Sequence, residues 1–212
     1  MSGARLAAGP DEVAMFGFGS LLLRESIAKS LGRPYEGPLH EVELVGWTRR
    51  WNVSMPNRAF YAETTEGELW PEKILYLNIV RQAGARMNGV VMVVRRSDLA
   101  SMDRRESVYD RVDVAADLAG LDVPSGTPVY AYSGQAAHCI KTYTTLAEMG
   151  LRQTYLDGVN RALAAMSQDY QTAFAASTEA VPQELVFADQ LKAGEDPFGY
   201  DKVKRERKTG DG

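Results

Sequence analysis

Apolar positions along this chain recur first with the two-residue period of strands and, in its last third, with the longer period of helices. Met15-Phe16-Gly17-Phe18-Gly19-Ser20-Leu21-Leu22 starts as a short apolar strand, passes through a glycine turn and enters a helix. That helix is predicted over 20–31, with Leu22, Leu23, Ile27 and Leu31 inward and a stop at Gly32. From Leu39, the residues His40, Val42 and Leu44 alternate with Glu41, Glu43 and Val45, and the strand pattern runs on to Val53. Residues 59–63 and 73–80 are the next strands, the second apolar enough for a central place in a sheet. Asn88-Gly89 reads as a turn before another strand at 90–94. A helix fits 97–107, strands fit 112–114 and 128–132, and from Thr142 the period is helical through Leu151, Tyr155, Val159, Leu163 and Met166 until Pro182. Strands followed by helices, without regular βαβ alternation, predict an α+β fold: a small, mixed, mostly antiparallel sheet or barrel with flanking helices.

Composition adjusts this picture only at its edges. A chain of 212 residues with 45% hydrophobic content can bury one sizeable core, which predicts a single domain over 13–200. Residues 1–12 read as a flexible leader, and residues 201–212 as a solvated tail in which Lys and Arg alternate with Asp and Glu. A formal charge of −4 leaves no basic excess for phosphates, so nucleic acid is not an expected partner. No apolar run reaches the roughly 18 residues of a membrane span, and none within residues 1–12 reads as a signal peptide. Cys139 is the single cysteine, so no internal disulfide forms, which suits the cytoplasm. The only histidines, His40 and His138, are far apart, and no metal site is expected.

Two stretches carry candidate chemistry. Gly17 and Gly19 permit close backbone approach and positive φ, and Ser20 has the side chain of a helix N-cap, so unpaired N–H groups there would bind an anion; the same residues also describe an ordinary tight turn. A third glycine is missing, which sets aside a dinucleotide loop. In the helix over 97–107, Leu99, Met102 and Glu106 share one face, so the Glu106 carboxylate emerges at the end of the inward stripe. Burial there and like charge from Asp103 both disfavour a bare carboxylate. Asp103 is the rival acid, and Arg105 and Arg111 offer the alternative of a structural ion pair. Trp47 and Trp51 share a strand face with Arg49, while Arg50 points the other way; either arginine reads as a solvated charge or as a partner for an anionic substrate. Cys139 reads as a small buried residue.

Gly17-Phe18-Gly19-Ser20-Leu21 resembles the Gly-Tyr-Gly-Ser-Leu signature of the γ-glutamylcyclotransferase-like superfamily, and Met102-Asp103-Arg104-Arg105-Glu106 with Tyr109 and Arg111 resembles its acidic segment. Val45-Gly46-Trp47-Thr48-Arg49-Arg50-Trp51 is similar to its Gly-aromatic-x-Arg-Arg-aromatic strand, and Gln153-Thr154-Tyr155-Leu156 to its late-helix tyrosine segment. The resemblance implies a small mixed barrel with helices around it and release of 5-oxoproline from a small γ-glutamyl substrate, without cofactor. It implies Glu106 as the acid/base and Phe18, Gly19, Ser20, Leu21 and Leu22 around the γ-glutamyl group, with Tyr109 and Tyr155 as candidate substrate contacts. Phe18 stands in place of the usual tyrosine, and Gly150-Leu151 in place of a common Pro-Ser. A non-catalytic binding or interaction protein of the same fold is the second reading. The leaving amine and the oligomeric state are open at this level.

Overall fold

One long strand organises the computed structural model, which describes residues 4–198. This strand, Lys73–Arg95, has a partner on each edge. Numbering the principal elements along the chain gives strands β1 (Glu12–Gly17), β2 (His40–Pro56), β3 (Lys73–Arg95), β4 (Tyr109–Asp113), β5 (Val129–Gly134) and β6 (Met149–Arg152). The helices are α1 (Arg24–Leu31), α2 (Leu99–Arg105), α3 (Gln153–Ala164) and α4 (Gln168–Ala176).

Along one edge β3 pairs antiparallel with β2, from Pro56 opposite Lys73 to His40 opposite Val91. The other edge is shared. Its far end pairs antiparallel with β1, from Gly17 opposite Val90 to Glu12 opposite Arg95, and its near end pairs parallel with β6 at Lys73 and Ile74. Between these two partners the carbonyl of Leu77 receives the Tyr109 hydroxyl at 2.9 Å. β1 continues the sheet through β5, in parallel, to β4. The result is an open mixed sheet with flanking helices, not a closed barrel, among the described residues. Residues Phe60–Thr64, Gly67–Leu69 and Gln190–Leu191 make a separate three-stranded sheet.

The turn expected at Asn88-Gly89 does not exist, because β3 runs through it unbroken for 23 residues. A β-carbon on Gly89 would lie 2.2 Å from the Phe16 ring, so the glycine makes room for an aromatic side chain of the neighbouring strand. Asn88 is buried beside it and donates to the Tyr170 carbonyl at 2.8 Å. The helix expected over 20–31 is also divided: Ser20–Leu22 is a single 3₁₀ turn, Leu23 is extended, and α1 then runs to Leu31. Residues 142–152 are not helical, since Met149–Arg152 is strand β6, and the late helices begin at Gln153.

The apolar side chains of β1, β3, α1 and α3 share the main core, where Met15, Phe16, Leu75 and Leu77 are essentially inaccessible. Each such side chain contributes about 1.5–3 kcal/mol by leaving water. A smaller cluster gathers Phe60, Ile74, Tyr76 and Phe187. The expected flexible leader is tied down from residue 4: Ala4–Arg5 pairs parallel with Leu121–Asp122, and Leu6 is buried in the main core. The charged tail over 201–212, together with residues 1–3 and 199–200, lies outside the described residues.

Candidate active site

β1 delivers the chain into the interior at Gly17, and the backbone then turns sharply at Phe18 and Gly19. Neither Gly17 nor Gly19 has a positive φ, contrary to the expectation. Gly19 sits at φ −141°, ψ −118°, and a β-carbon there would lie 2.9 Å from the Tyr155 hydroxyl oxygen. Its glycine identity therefore answers to the approach of a tyrosine. Ser20 is not a side-chain cap, because its hydroxyl instead accepts from Arg105 Nη2 at 2.8 Å.

The N–H groups of the turn divide into two sets. Leu22 N–H donates to the Gly19 carbonyl at 2.9 Å and is spent inside the turn. The N–H groups of Gly19, Ser20 and Leu21 donate to no group among the described residues.

Glu106 is the residue at which α2 ends, with φ −90° and ψ 36°. Its N–H closes the last turn onto the Met102 carbonyl, and its own carbonyl accepts from Tyr109 N–H, which leads the chain into β4. The side chain is released from the helix at the point where the apolar stripe stops. Arg105 Nη1 lies 2.8 Å from Glu106 Oε1, and the two side chains are 10% and 15% exposed. Arg105 thus joins the acid to Ser20. Of the two arginines expected as ion-pair partners of Glu106, Arg105 makes the pair and Arg111 does not.

Asp103 leads a separate existence. Arg111 holds both its oxygens, at 2.9 and 2.7 Å, and the Tyr132 hydroxyl donates to it at 2.8 Å. It lines neither of the cavities that meet at Glu106.

Those cavities have volumes of about 290 and 30 Å³. Both are lined by Ser20, Glu106, Tyr109 and Tyr155, and the smaller also by Phe18, Gly19 and Leu21. Seven of the eight sequence-predicted residues therefore meet around one space. Leu22 does not; it is buried in the core. The larger cavity is also lined by Lys29, Arg161 and Arg152, the last paired with Asp189 at 3.3 Å, positive charge that sequence periodicity did not reveal.

Tyr155 comes from α3 and is wedged edge-on between Trp51 and Tyr76, with ring centroids 6.2 and 5.5 Å away. Burial, together with the charge of Glu106, pushes its hydroxyl above the ordinary tyrosine range. Tyr109 is raised for the same principal reason, burial, with Tyr155 and Glu106 adding to it. Both therefore serve as neutral hydroxyls at working pH.

The remaining expectations divide. Trp47 and Trp51 are core residues, and Arg50 is exposed. Arg49, by contrast, is completely buried and is not a solvated charge. Cys139 is half-buried, its thiol pushed upward by burial. No group of three or more His, Cys, Asp or Glu residues among the described residues is arranged to hold a metal ion. No helix among them is long and apolar enough to cross a membrane.

No protein-family model matches the chain, and no curated protein sequence matches it. Solved structures do. A γ-glutamyl cyclotransferase structure superposes with a TM-score of 0.53 at 16% identity, covering 92% of this chain and 99% of the other. An uncharacterised human protein superposes with a TM-score of 0.54 at 15% identity, with the same coverage. The architecture is thus the γ-glutamylcyclotransferase-like fold.

Proposed function

We propose that this protein is a γ-glutamylcyclotransferase that releases 5-oxoproline and a free amine from a small γ-glutamyl compound. The observation carrying this reading is that one carboxylate, Glu106, lines a single cavity with Gly19, Ser20 and Leu21, whose N–H groups donate to no group among the described residues. The reaction needs little more. In a γ-glutamyl amide the nucleophile and the electrophile belong to the same molecule, so no serine or cysteine has to attack, and folding the chain back gains the advantage of intramolecularity.

Glu106 takes a proton from the substrate α-ammonium. The freed nitrogen attacks the γ-carbonyl carbon, a five-membered ring closes and the carbonyl oxygen becomes an oxyanion. Loop N–H groups stabilise charge there or on the substrate carboxylate. The bond from the γ-carbon to the leaving nitrogen then breaks as Glu106 returns its proton to that nitrogen, and the ring nitrogen gives its second proton to the freed Glu106 carboxylate, which passes it to water or to the released amine. Arg105 holds Glu106 in place through the cycle, while the neutral hydroxyls of Tyr109 and Tyr155 border the glutamyl chain.

The test is release of 5-oxoproline from a panel of γ-glutamyl amines, amino acids and peptides. Glu106→Gln should retain the fold and lose turnover; equal product from variant and parent removes Glu106 from the mechanism. The second reading, a non-catalytic binder, rests on Phe18, which lacks the hydroxyl of the usual tyrosine. Binding of these compounds by the parent protein without release of amine would favour it.

A further inference from the structure

Arg49 is the largest fully buried side chain of the described residues, and it faces no carboxylate. Its guanidinium donates to four neutral acceptors: Nε to the Phe18 carbonyl at 3.0 Å, Nη1 to Ser177 Oγ at 2.9 Å, and Nη2 to the Asn88 carbonyl and, at 3.2 Å, to Asn88 Oδ1. The Phe174 ring covers it at 4.0 Å. Burial of this charge pushes its proton affinity down to a pKa of about 9. A buried cation facing no carboxylate is costly even with its donors satisfied, and a well-packed apolar side chain of similar length would serve the core at lower cost.

The contact with Phe18 shows what the arginine secures. The peptide joining Phe18 to Gly19 is trans, so its carbonyl and its N–H point in opposite directions. With the Phe18 carbonyl fixed on Arg49 in the core, the Gly19 N–H points away from that arginine, and Gly19 lines the cavity it shares with Glu106. The same turn is gripped from the cavity side by Arg105 through Ser20. We infer that Arg49 is a positioning residue that acts from the core, locking the peptide between Phe18 and Gly19 so that the Gly19 N–H is presented to the substrate beside Glu106. This rests on the cyclotransferase reading for its chemistry, but the orientation of the peptide is independent of it.

The experiment compares Arg49→Met, Arg49→Lys and Ser177→Ala in the full chain, each first checked for fold by near-UV circular dichroism and thermal unfolding. Ser177→Ala removes an Arg49 contact far from the cavity; it should lower stability and leave kcat/KM within twofold. Arg49→Met should lower kcat/KM about a hundredfold in the folded protein, the scale of a displaced oxyanion donor, with Arg49→Lys in between because an ammonium still reaches one acceptor. The Gly19 amide resonance should shift when 5-oxoproline is added to the parent protein and stop responding in Arg49→Met.

A folded Arg49→Met with kcat/KM within twofold of the parent overturns the inference. So does a parent Gly19 amide that ignores 5-oxoproline, a measurement that requires no variant to fold. If the parent releases no 5-oxoproline from any γ-glutamyl compound, the proposed reaction fails. The Gly19 amide position, compared between the parent and Arg49→Lys without ligand, then decides the role of Arg49 by itself.

Discussion

Arg105 and Glu106 are sequence neighbours whose side chains nonetheless close on each other at 2.8 Å, in a site where both are largely withdrawn from water. The geometry is available because α2 ends between them: Arg105 is its last residue, and Glu106 already has non-helical torsions. A pair so shielded leaves a strongly disfavoured charge when one member is removed.

Arg105→Gln should therefore reduce both stability and turnover, by about 1–3 kcal/mol and about tenfold or more respectively. The double variant Arg105→Gln/Glu106→Gln should regain part of the stability while remaining inactive. Urea unfolding of the four members of this cycle measures the coupling; additive losses would mean the two side chains do not act as a pair.

Gly19→Ala places a methyl group 2.9 Å from the Tyr155 hydroxyl oxygen. Overpacking of this kind costs about 1–3 kcal/mol, and here it displaces the turn lining the site. Adding Tyr155→Phe removes the obstructing atom and should recover most of the stability. Thermal unfolding of the single and double variants reads this directly.

Gly89→Ala brings the new carbon against the Phe16 ring, 2.2 Å away, and against the Gly17 carbonyl, so β1 and β3 cannot stay in register without movement. A loss of about 1–3 kcal/mol is expected. Phe16→Leu in the same chain should relieve only the part of it that comes from the ring. Chemical denaturation of both variants separates the two contributions.

Asp117 predicts an acid-side dependence of stability. Burial draws its carboxyl upward, but the Trp47 indole N–H at 3.0 Å and Arg81 at 2.8 Å outweigh this and hold it below the ordinary carboxylate range. The unfolded chain then binds the proton more readily, so stability rises with pH across this window. Asp117 contributes fully above about pH 4, its ordinary value, and loses its contribution as pH falls through the folded value. Asp117→Asn should flatten that component of a stability profile recorded from pH 6 downward; an unchanged acid limb would contradict it.

Much of the architecture was legible because β1, β2 and the two halves of β3 carry strand periodicity that burial then enforces. Reading Asn88-Gly89 as a turn failed for a physical reason: the same dipeptide that suits a hairpin also gives an aromatic ring a place to sit and a buried guanidinium an acceptor, and only the neighbouring strand decides. Ser20 misled similarly, since a hydroxyl fit for capping was recruited by an arginine 85 residues away. Glu106 was visible from its position on an apolar stripe. The ion pair offered by Arg105 and Arg111 is made by Arg105 alone, because the helix ends at that residue and frees both side chains to meet, while Arg111 goes to Asp103. Arg49 shares its strand face with Trp47 and Trp51, and that parity was the local sign of its burial; what the strand does not announce is that α4 will cover it with Phe174.

The cavity draws its walls from the turn after β1, the end of α2 and the face of α3. A nascent chain that has emerged only as far as β6 already has Glu106 and the glycine turn, yet it lacks the tyrosine that closes the space between them. The wall between the acid and the turn is thus completed only by the last of these three elements, and a chain ending before α3 would leave that space open on the Tyr155 side.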